Sequence, residues 1–260
     1  MAKKEYIINP TLFGQPEVIG FGSSDFYVKE IAKQKSKAII IKNHYSHKVC
    51  TDGTTHIHLG CFINGEMLGV LQFGYAMNPQ SMGSVVKGTE IEQYKELNRM
   101  WFDDKAKRNT ESMAISYSIK YIKRKYPRVK WIQSFADERC GGFGIVYQAC
   151  NFDFFGEHEN IFYEVDDEVY HKSRVAFDQK TISKNNRYIP LEKAERAIKK
   201  SLRQFRYIYF LDKRWKKDCL LKEKPYPKHY DNSNGFEKTK AGRAFKKYGE
   251  YVETPLNELN

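Results

Sequence analysis

The sequence predicts an α/β protein built on a mixed β-sheet flanked by helices, with a basic C-terminal extension. Three observations carry that prediction. Two apolar-rich runs, His58 to Phe62 and Met67 to Phe73, flank Asn64-Gly65, a dipeptide that favours the primed turns whose twist matches paired strands. Asn109 to Lys125 has apolar residues near helical spacing. Trp131 to Phe152, WIQSFADERCGGFGIVYQACNF, is an apolar run that stops at Asp137, crosses a glycine cluster and resumes as a helix-like segment. Hairpin, strand, helix, strand, helix, strand is the order of a mixed sheet with helices covering it.

Taken in order, residues 1–37 are expected to pack on the core as an N-terminal segment. Ala38 to Lys42 (AIIIK) is a compact β-branched run that hands the chain to the polar group Asn43, His44, Tyr45, Ser46 and His47. After the hairpin, Glu96 to Phe102 (ELNRMWF) reads as a strand with Arg99 among Leu97, Met100 and Phe102. In the following helix Thr110 is the expected N-cap and Glu111 a favourable first-turn carboxylate. Met113, Ile115, Ile119 and Ile122 form its apolar face, and Tyr126-Pro127 closes it. Ile132, Phe135 and Ala136 belong in a buried strand, and Phe154 to Val165 returns as a strand pair or one bent strand. From about Tyr170 the chain turns basic. There Leu191, Ala194, Ile198 and Leu202 suggest a helix, and Phe205 to Leu211 an aromatic strand or helix end. The expected division is a catalytic domain over 38–170, a basic nucleic-acid-binding extension over 171–230 and a mobile tail over 231–260.

Composition narrows the partners. The net charge is +12 and aromatics make up 15% of the 260 residues. Lysine and arginine displace the counterions condensed on phosphates, and aromatic faces stack on bases, so a phosphate-bearing partner is indicated. The bland explanation is charge that only aids solubility. Five cysteines, odd in number and without a C-x-x-C pair, argue against a disulfide framework or a ribbon-type zinc site and fit a reducing compartment. The amino terminus lacks the apolar core of a signal peptide, and no run approaches the roughly 20 apolar residues that span a bilayer. The expected location is the cytoplasm, with no membrane partner.

Candidate chemistry concentrates in a few places. His44 and His47 have helix-face spacing, while His56 and His58 have same-face strand spacing. Chance pairs of this kind are common, so no metal site is assigned. His44 is better read as a general acid or base, its ordinary pKa lying near neutrality. Asp137 is the first carboxylate after a buried strand, where open α/β sheets place ligands. It is read as a general base, an anchor for a substrate amine, or a helix cap ahead of a helix at Gly141. Gly141, Gly142, Gly144 and Tyr147 belong to the same crevice, with Tyr147 a proton donor to a leaving group or half-buried packing. Arg99 in an inner strand needs either a donor phosphate or a salt bridge to Glu96, Asp103 or Glu111. The helix start Thr110-Glu111-Ser112 offers free N–H groups to an anion, as every helix does.

The hairpin, the helix whose start offers an anion site, the strand ending at a crevice and the phrase Tyr147-Gln-Ala-Cys-Asn-Phe152 together resemble the GNAT acyltransferase fold. That phrase is similar to the fold's Tyr-x-x-x-Gly-Phe, with Asn151 where glycine is common. Arg108-Asn-Thr-Glu-Ser-Met-Ala114 stands in place of the fold's glycine-rich pyrophosphate loop, a departure from ordinary acetyl-coenzyme A binding.

More closely, residues 38 to 228 resemble the Mom family of phage DNA-modification proteins. The matching phrases are Asn43-His-Tyr-Ser46, Leu59-Gly-Cys-Phe62, Gly69-Val-Leu-Gln-Phe-Gly74, Glu96-Leu-Asn-Arg99, Thr110-Glu-Ser112, Trp131-Ile-Gln-Ser-Phe-Ala-Asp137, Tyr147-Gln-Ala-Cys-Asn-Phe152, Arg203-Gln-Phe-Arg-Tyr-Ile-Tyr-Phe210 and Pro225-Tyr-Pro-Lys228. The resemblance implies a transferase that converts adenine in double-stranded DNA to carbamoylmethyl-adenine, protecting phage DNA from restriction in the host cytoplasm. It places functional roles on Tyr45, Arg99, Ser112, Asp137 and Tyr147, with His44 beside them. Asp137, Tyr147, His44 and Tyr45 are then the expected catalytic set, and Arg99 and Ser112 hold the donor. The donor expected from the product's chemistry is glycyl-tRNA, with acetyl-coenzyme A as the other choice, so the partners are double-stranded DNA and a tRNA. Two other classes stay open: an acyltransferase acting on protein or a small molecule, and a non-enzymatic DNA-binding protein.

Overall fold

The structure, a computed structural model, describes residues 2–12, 14–46, 54–138, 143–166, 168–172 and 195–227, together with the short paired strands Phe236–Lys238 and Ala244–Lys246. The chain divides into two compact units. The first comprises Met1–Phe135, Gly144–Gly156 and Arg206–Tyr226; the second comprises Ala136–Phe143, Glu157–Phe205 and Pro227–Asn260.

In the first unit, β1 (Glu5–Pro10), β2 (Pro16–Gly22) and β3 (Phe26–Glu30) form an antiparallel run that joins β4 (Thr55–Ile63). The N-terminal stretch is thus part of the sheet itself. The expected hairpin is present: β4 pairs antiparallel with β5 (Glu66–Gly74), and Asn64 and Gly65 both have positive φ, 49° and 84°. Two consecutive positive φ values make a primed turn, which Asn-Gly adopts at little steric cost. Next come β6 (Tyr94–Phe102), β7 (Trp131–Asp137), β8 (Asp153–Val165) and β10 (Ile198–Phe210). The portions of these strands within the unit complete the order β1-β2-β3-β4-β5-β6-β7-β10-β8, with β6 and β7 parallel. The expected mixed sheet is therefore present. Helix α1 (Lys33–Asn43) contains the whole β-branched run Ala38 to Lys42 and buries Ser36 and Ile40.

Helix α2 (Thr110–Lys125) matches the expected helix, closing at Tyr126. Its cap differs from expectation: Asn109, in the left-handed region at φ 70°, precedes the first turn, and Thr110 is already helical and buried. Asparagine tolerates that conformation better than threonine, whose branched Cβ resists it. The helix packs on β2 through Tyr117, whose ring meets Phe21 edge-on at 5.2 Å. A second apolar cluster gathers Met82, Val86, Tyr94, Trp131, Ile208 and Phe210, with the rings of Tyr94 and Trp131 stacked at 5.1 Å.

In the second unit the distal part of β8 pairs antiparallel with β9 (Glu168–His171), and Tyr163 and Val165 pack on Ala197. The helix expected around Ile198 and Leu202 is replaced by β10, one continuous strand to Phe210. Its β-branched and aromatic residues, with a place in a sheet that satisfies the backbone, outweigh the apparent helical spacing. Leu191 and Ala194, the other half of that expectation, and the basic run 173–194 lie outside the described residues, as does the expected tail apart from its two short strands. No helix among the described residues is long and apolar enough to cross a membrane.

Candidate active site

Strands β6 and β7 pair through three rungs only: Tyr94 with Trp131, Lys95 with Ile132, and Glu96 with Gln133. Pairing ends there although both strands run on, which leaves backbone groups for other partners. The first carbonyl past the last rung, that of Leu97, accepts the Ser134 hydroxyl at 3.4 Å. On the other side of β6 the ladder to β5 steps from Arg99–Gln72 to Leu97–Phe73, so Asn98 stands in a bulge. Bulges aim a side chain away from the regular pleat and recur next to functional sites.

Polar side chains fill this fork. Gln133 donates its amide to the Glu96 carboxylate at 2.7 Å, and Asn98 donates to the other carboxylate oxygen at 3.2 Å. Asn98 also donates to the Tyr75 carbonyl at 3.1 Å and accepts the Thr55 hydroxyl at 3.3 Å. The Gln133 carbonyl oxygen accepts from Arg206 at 3.3 Å, and the Arg206 guanidinium lies 4.9 Å from the centre of the Phe135 ring. Burial pushes the Glu96 carboxyl above the usual carboxylate range, against the two amide donors and the charges of Arg99 and Arg206. Burial likewise lowers the Arg206 pKa, with Glu96 pulling it back up. Glu96, one of the partners expected for Arg99, feels its charge, and the Arg99 guanidinium donates to the Asn98 carbonyl at 2.6 Å. Sequence reasoning missed Glu96, Asn98, Gln133 and Arg206 as a group. The available signal was polar residues within otherwise apolar or aromatic strands.

The helix after the glycine cluster is one turn, α3 (Ile145–Gln148), preceded by Gly144 at φ 81°. Gly144 occupies the cap position of this helix. Tyr147 is buried between Phe152 and Tyr207, with ring centroids 5.6 and 5.4 Å away. Burial pushes the Tyr207 hydroxyl up to about 12, and that hydroxyl accepts the Gln148 amide at 3.0 Å. Asn151 has φ 59°, which explains the glycine-or-asparagine choice in this phrase: both tolerate the left-handed region. Ser112, in the first turn of α2, donates its hydroxyl to the Asn109 carbonyl at 3.0 Å, and its own carbonyl accepts the Cys150 thiol at 3.2 Å. The structure thus joins the Ser112 turn to the segment just after Tyr147. Burial holds the Cys150 thiol up at about 11, making it packing rather than a nucleophile.

His44 follows α1 and is buried, and Tyr45 lies against it with ring centroids 4.2 Å apart. The Ser46 backbone N–H donates to His44 Nδ1 at 3.2 Å. A backbone N–H can only donate, so Nδ1 is an acceptor and the neutral imidazole carries its proton on Nε2. His58 is buried on the Ser36 hydroxyl at 3.1 Å, whereas His56 is exposed beside Tyr75. Among the described residues, no three histidine, cysteine or acidic side chains gather where they could hold a metal. Asp137 is the buried last residue of β7 and falls in the second unit. In the same unit Glu138 accepts a two-pronged pair from Arg203 at 3.2 and 2.8 Å and the Arg203 backbone N–H at 2.8 Å. Gly141, Gly142 and His47 lie outside the described residues.

Among solved structures, the chain is similar to a ribosomal-protein alanine acetyltransferase from Vibrio fischeri, at TM-score 0.44 and 9% identity over 75% of this chain and 97% of that one. An acetyltransferase from Salmonella typhimurium that modifies the N-terminal serine of a ribosomal protein matches at TM-score 0.44 and 12% identity, over 73% of this chain and 97% of that one. The protein named methylcarbamoylase mom, from Escherichia phage Mu, is 45% identical over 215 residues, covering 82% of this chain and 88% of that protein. The model of the Mom protein family matches residues 25–228. This chain belongs to the Mom protein family.

Proposed function

We propose that this protein is a phage DNA-modifying enzyme that converts adenine in double-stranded DNA to carbamoylmethyl-adenine and so shields the DNA from restriction. The observation that carries the reading is the 45% identity, over most of both chains, to a protein named as a methylcarbamoylase. The net charge of +12 supports a nucleic-acid substrate.

The product's atoms favour an aminoacyl donor. Attack of the adenine exocyclic amine on the ester carbonyl of glycyl-tRNA forms an amide bond and releases the tRNA 3′ hydroxyl. The free glycyl amine then attacks ring carbon six through a five-membered transition state. The carbon–nitrogen bond to the amide breaks, that nitrogen takes up the proton lost by the attacking amine, and carbamoylmethyl-adenine results with no further atoms. Acetyl-coenzyme A alone lacks the nitrogen of the carboxamide. The first turn of α2 carries Glu111 instead of a glycine-rich loop, which is unfavourable for the pyrophosphate of coenzyme A.

In this scheme Asp137 orients and deprotonates the attacking amine, with His44 as the competing base and Tyr45 the surface for the extruded adenine. Tyr147 and Ser112 hydrogen-bond the carbonyl or the leaving oxygen, and Arg99 holds donor phosphate. Glu96 acts through Gln133 and Asn98 as a positioning residue that fixes the fork between β6 and β7.

Incubating the protein with glycine-labelled glycyl-tRNA and adenine-containing duplex should move label into carbamoylmethyl-adenine. Transfer of label from acetyl-coenzyme A instead would overturn the donor assignment, and label appearing in protein instead of DNA would overturn the substrate.

A further inference from the structure

The start of β6 carries a cation that the proposed chemistry does not use. Lys95 is only 6% exposed, and its Nζ lies 4.0 Å from the centre of the Tyr75 ring. Among the described residues no carboxylate forms an ion pair with it; Glu92 acts on it only as a charge nearby. His56 meets the same ring edge-on, with centroids 4.4 Å apart, and is itself exposed, so the cluster has a solvent-facing member. The strand register explains the meeting. Thr55 pairs with Gly74 and Gly74 with Glu96, which brings the start of β4, the end of β5 and the start of β6 together.

The charge balance of this cluster is unfilled. Burial pulls the Lys95 ammonium down to about 8, with Glu92 pulling weakly the other way. Burial, then Lys95, then Lys33 of α1 lower His56. Burial and Glu92 raise the Tyr75 hydroxyl. A ring face attracts a desolvated cation, but by less than burial of an unpaired charge costs. An oxyanion with several acceptor oxygens would supply what the cluster lacks, because an ammonium offers three donors and a protonated imidazole two.

We propose that Lys95 and His56, with Tyr75 as a wall, form a phosphate seat, and that its occupant is a backbone phosphodiester of the DNA substrate. The assignment to DNA rests on the function proposed above, and on Tyr75, whose backbone carbonyl accepts the amide of Asn98 at the fork. A phosphate flanking the reacting nucleotide would fix the strand while the base is held out of the stack. The same chemistry would accept free phosphate, so the two sources are tested separately.

The full chain carrying isotope-labelled histidine, with His56 identified by comparison with His56→Gln, is titrated by NMR with no donor present. Inorganic phosphate should raise the His56 pKa, and Lys95→Met should abolish that rise. An unmodifiable duplex lacking adenine should give the same rise. On that duplex Lys95→Met should weaken binding roughly 3- to 10-fold at low salt and reduce the slope of log affinity against log salt by about one, with Lys95→Arg retaining the slope. A His56 titration indifferent to both phosphate and duplex overturns the seat. A response to phosphate alone, or an unchanged salt slope in Lys95→Met, overturns its assignment to DNA. Because these readouts need no catalysis, they stand or fall apart from the modification assay.

Discussion

Gln133 and Glu96 form the last paired rung between β6 and β7 and are also joined through their side chains, the Gln133 amide donating to the Glu96 carboxylate at 2.7 Å. One residue pair therefore closes the ladder and fixes the polar group at the opening. Glu96→Gln keeps the shape but turns an acceptor into an amide whose donor end faces Gln133 or Asn98. Modification should fall about 100-fold, as expected when positioning is lost, while duplex affinity stays within about twofold. Single-turnover kinetics beside a binding titration separates the two.

The same carboxyl gives a signature in stability. Its folded pKa is raised, chiefly by burial, so the native state holds the proton more tightly than the unfolded chain. Stability should therefore fall as pH rises from the ordinary carboxylate range through the folded pKa, then level off. Urea midpoints measured across that range should show this slope in the parent and a shallower one in Glu96→Gln.

Lys95 gives the opposite profile. Its folded pKa, about 8, lies below its ordinary value of 10.5, so the cost of burying the charge is complete below about 8 and fades as pH climbs toward 10.5. Lys95→Met should stabilise the protein by on the order of 1–3 kcal/mol at neutral pH, and the advantage should shrink across that alkaline interval. Denaturation at neutral and alkaline pH checks both the sign and the trend.

Gly144 is predicted to be intolerant of any side chain. Its φ is 81°, and a Cβ there would lie 2.4 Å from the Tyr207 ring and 2.9 Å from that of Tyr147. Gly144→Ala should cost about 2–4 kcal/mol, combining left-handed strain with overpacking. Asn151→Gly, at φ 59°, should change stability little. Chemical denaturation of the two variants tests the contrast.

The hairpin, α2 and β7 were legible because each is announced by local chemistry: Asn64-Gly65, the spacing of Ile115, Ile119 and Ile122, and the apolar run from Trp131. Helix α1 was not, since its β-branched residues favour strands and Ile40 is held in a helix by burial. The stretch around Ile198 misled for the reverse reason, a helical spacing overruled by its place in the sheet. Asp137 was legible as a carboxylate closing an apolar strand. The Glu96–Gln133–Arg206 chain did not, because it depends on the register of strands far apart in sequence.

We propose that this protein modifies adenine in DNA through Asp137. Nucleoside mass spectrometry of DNA from cells expressing the parent or Asp137→Ala, alongside duplex affinities of the two purified proteins, tests it most directly. The expected result is carbamoylmethyl-adenine with the parent, none with Asp137→Ala, and affinities that agree within about twofold. Unmodified adenine with the parent, or equal modification with Asp137→Ala, would contradict it.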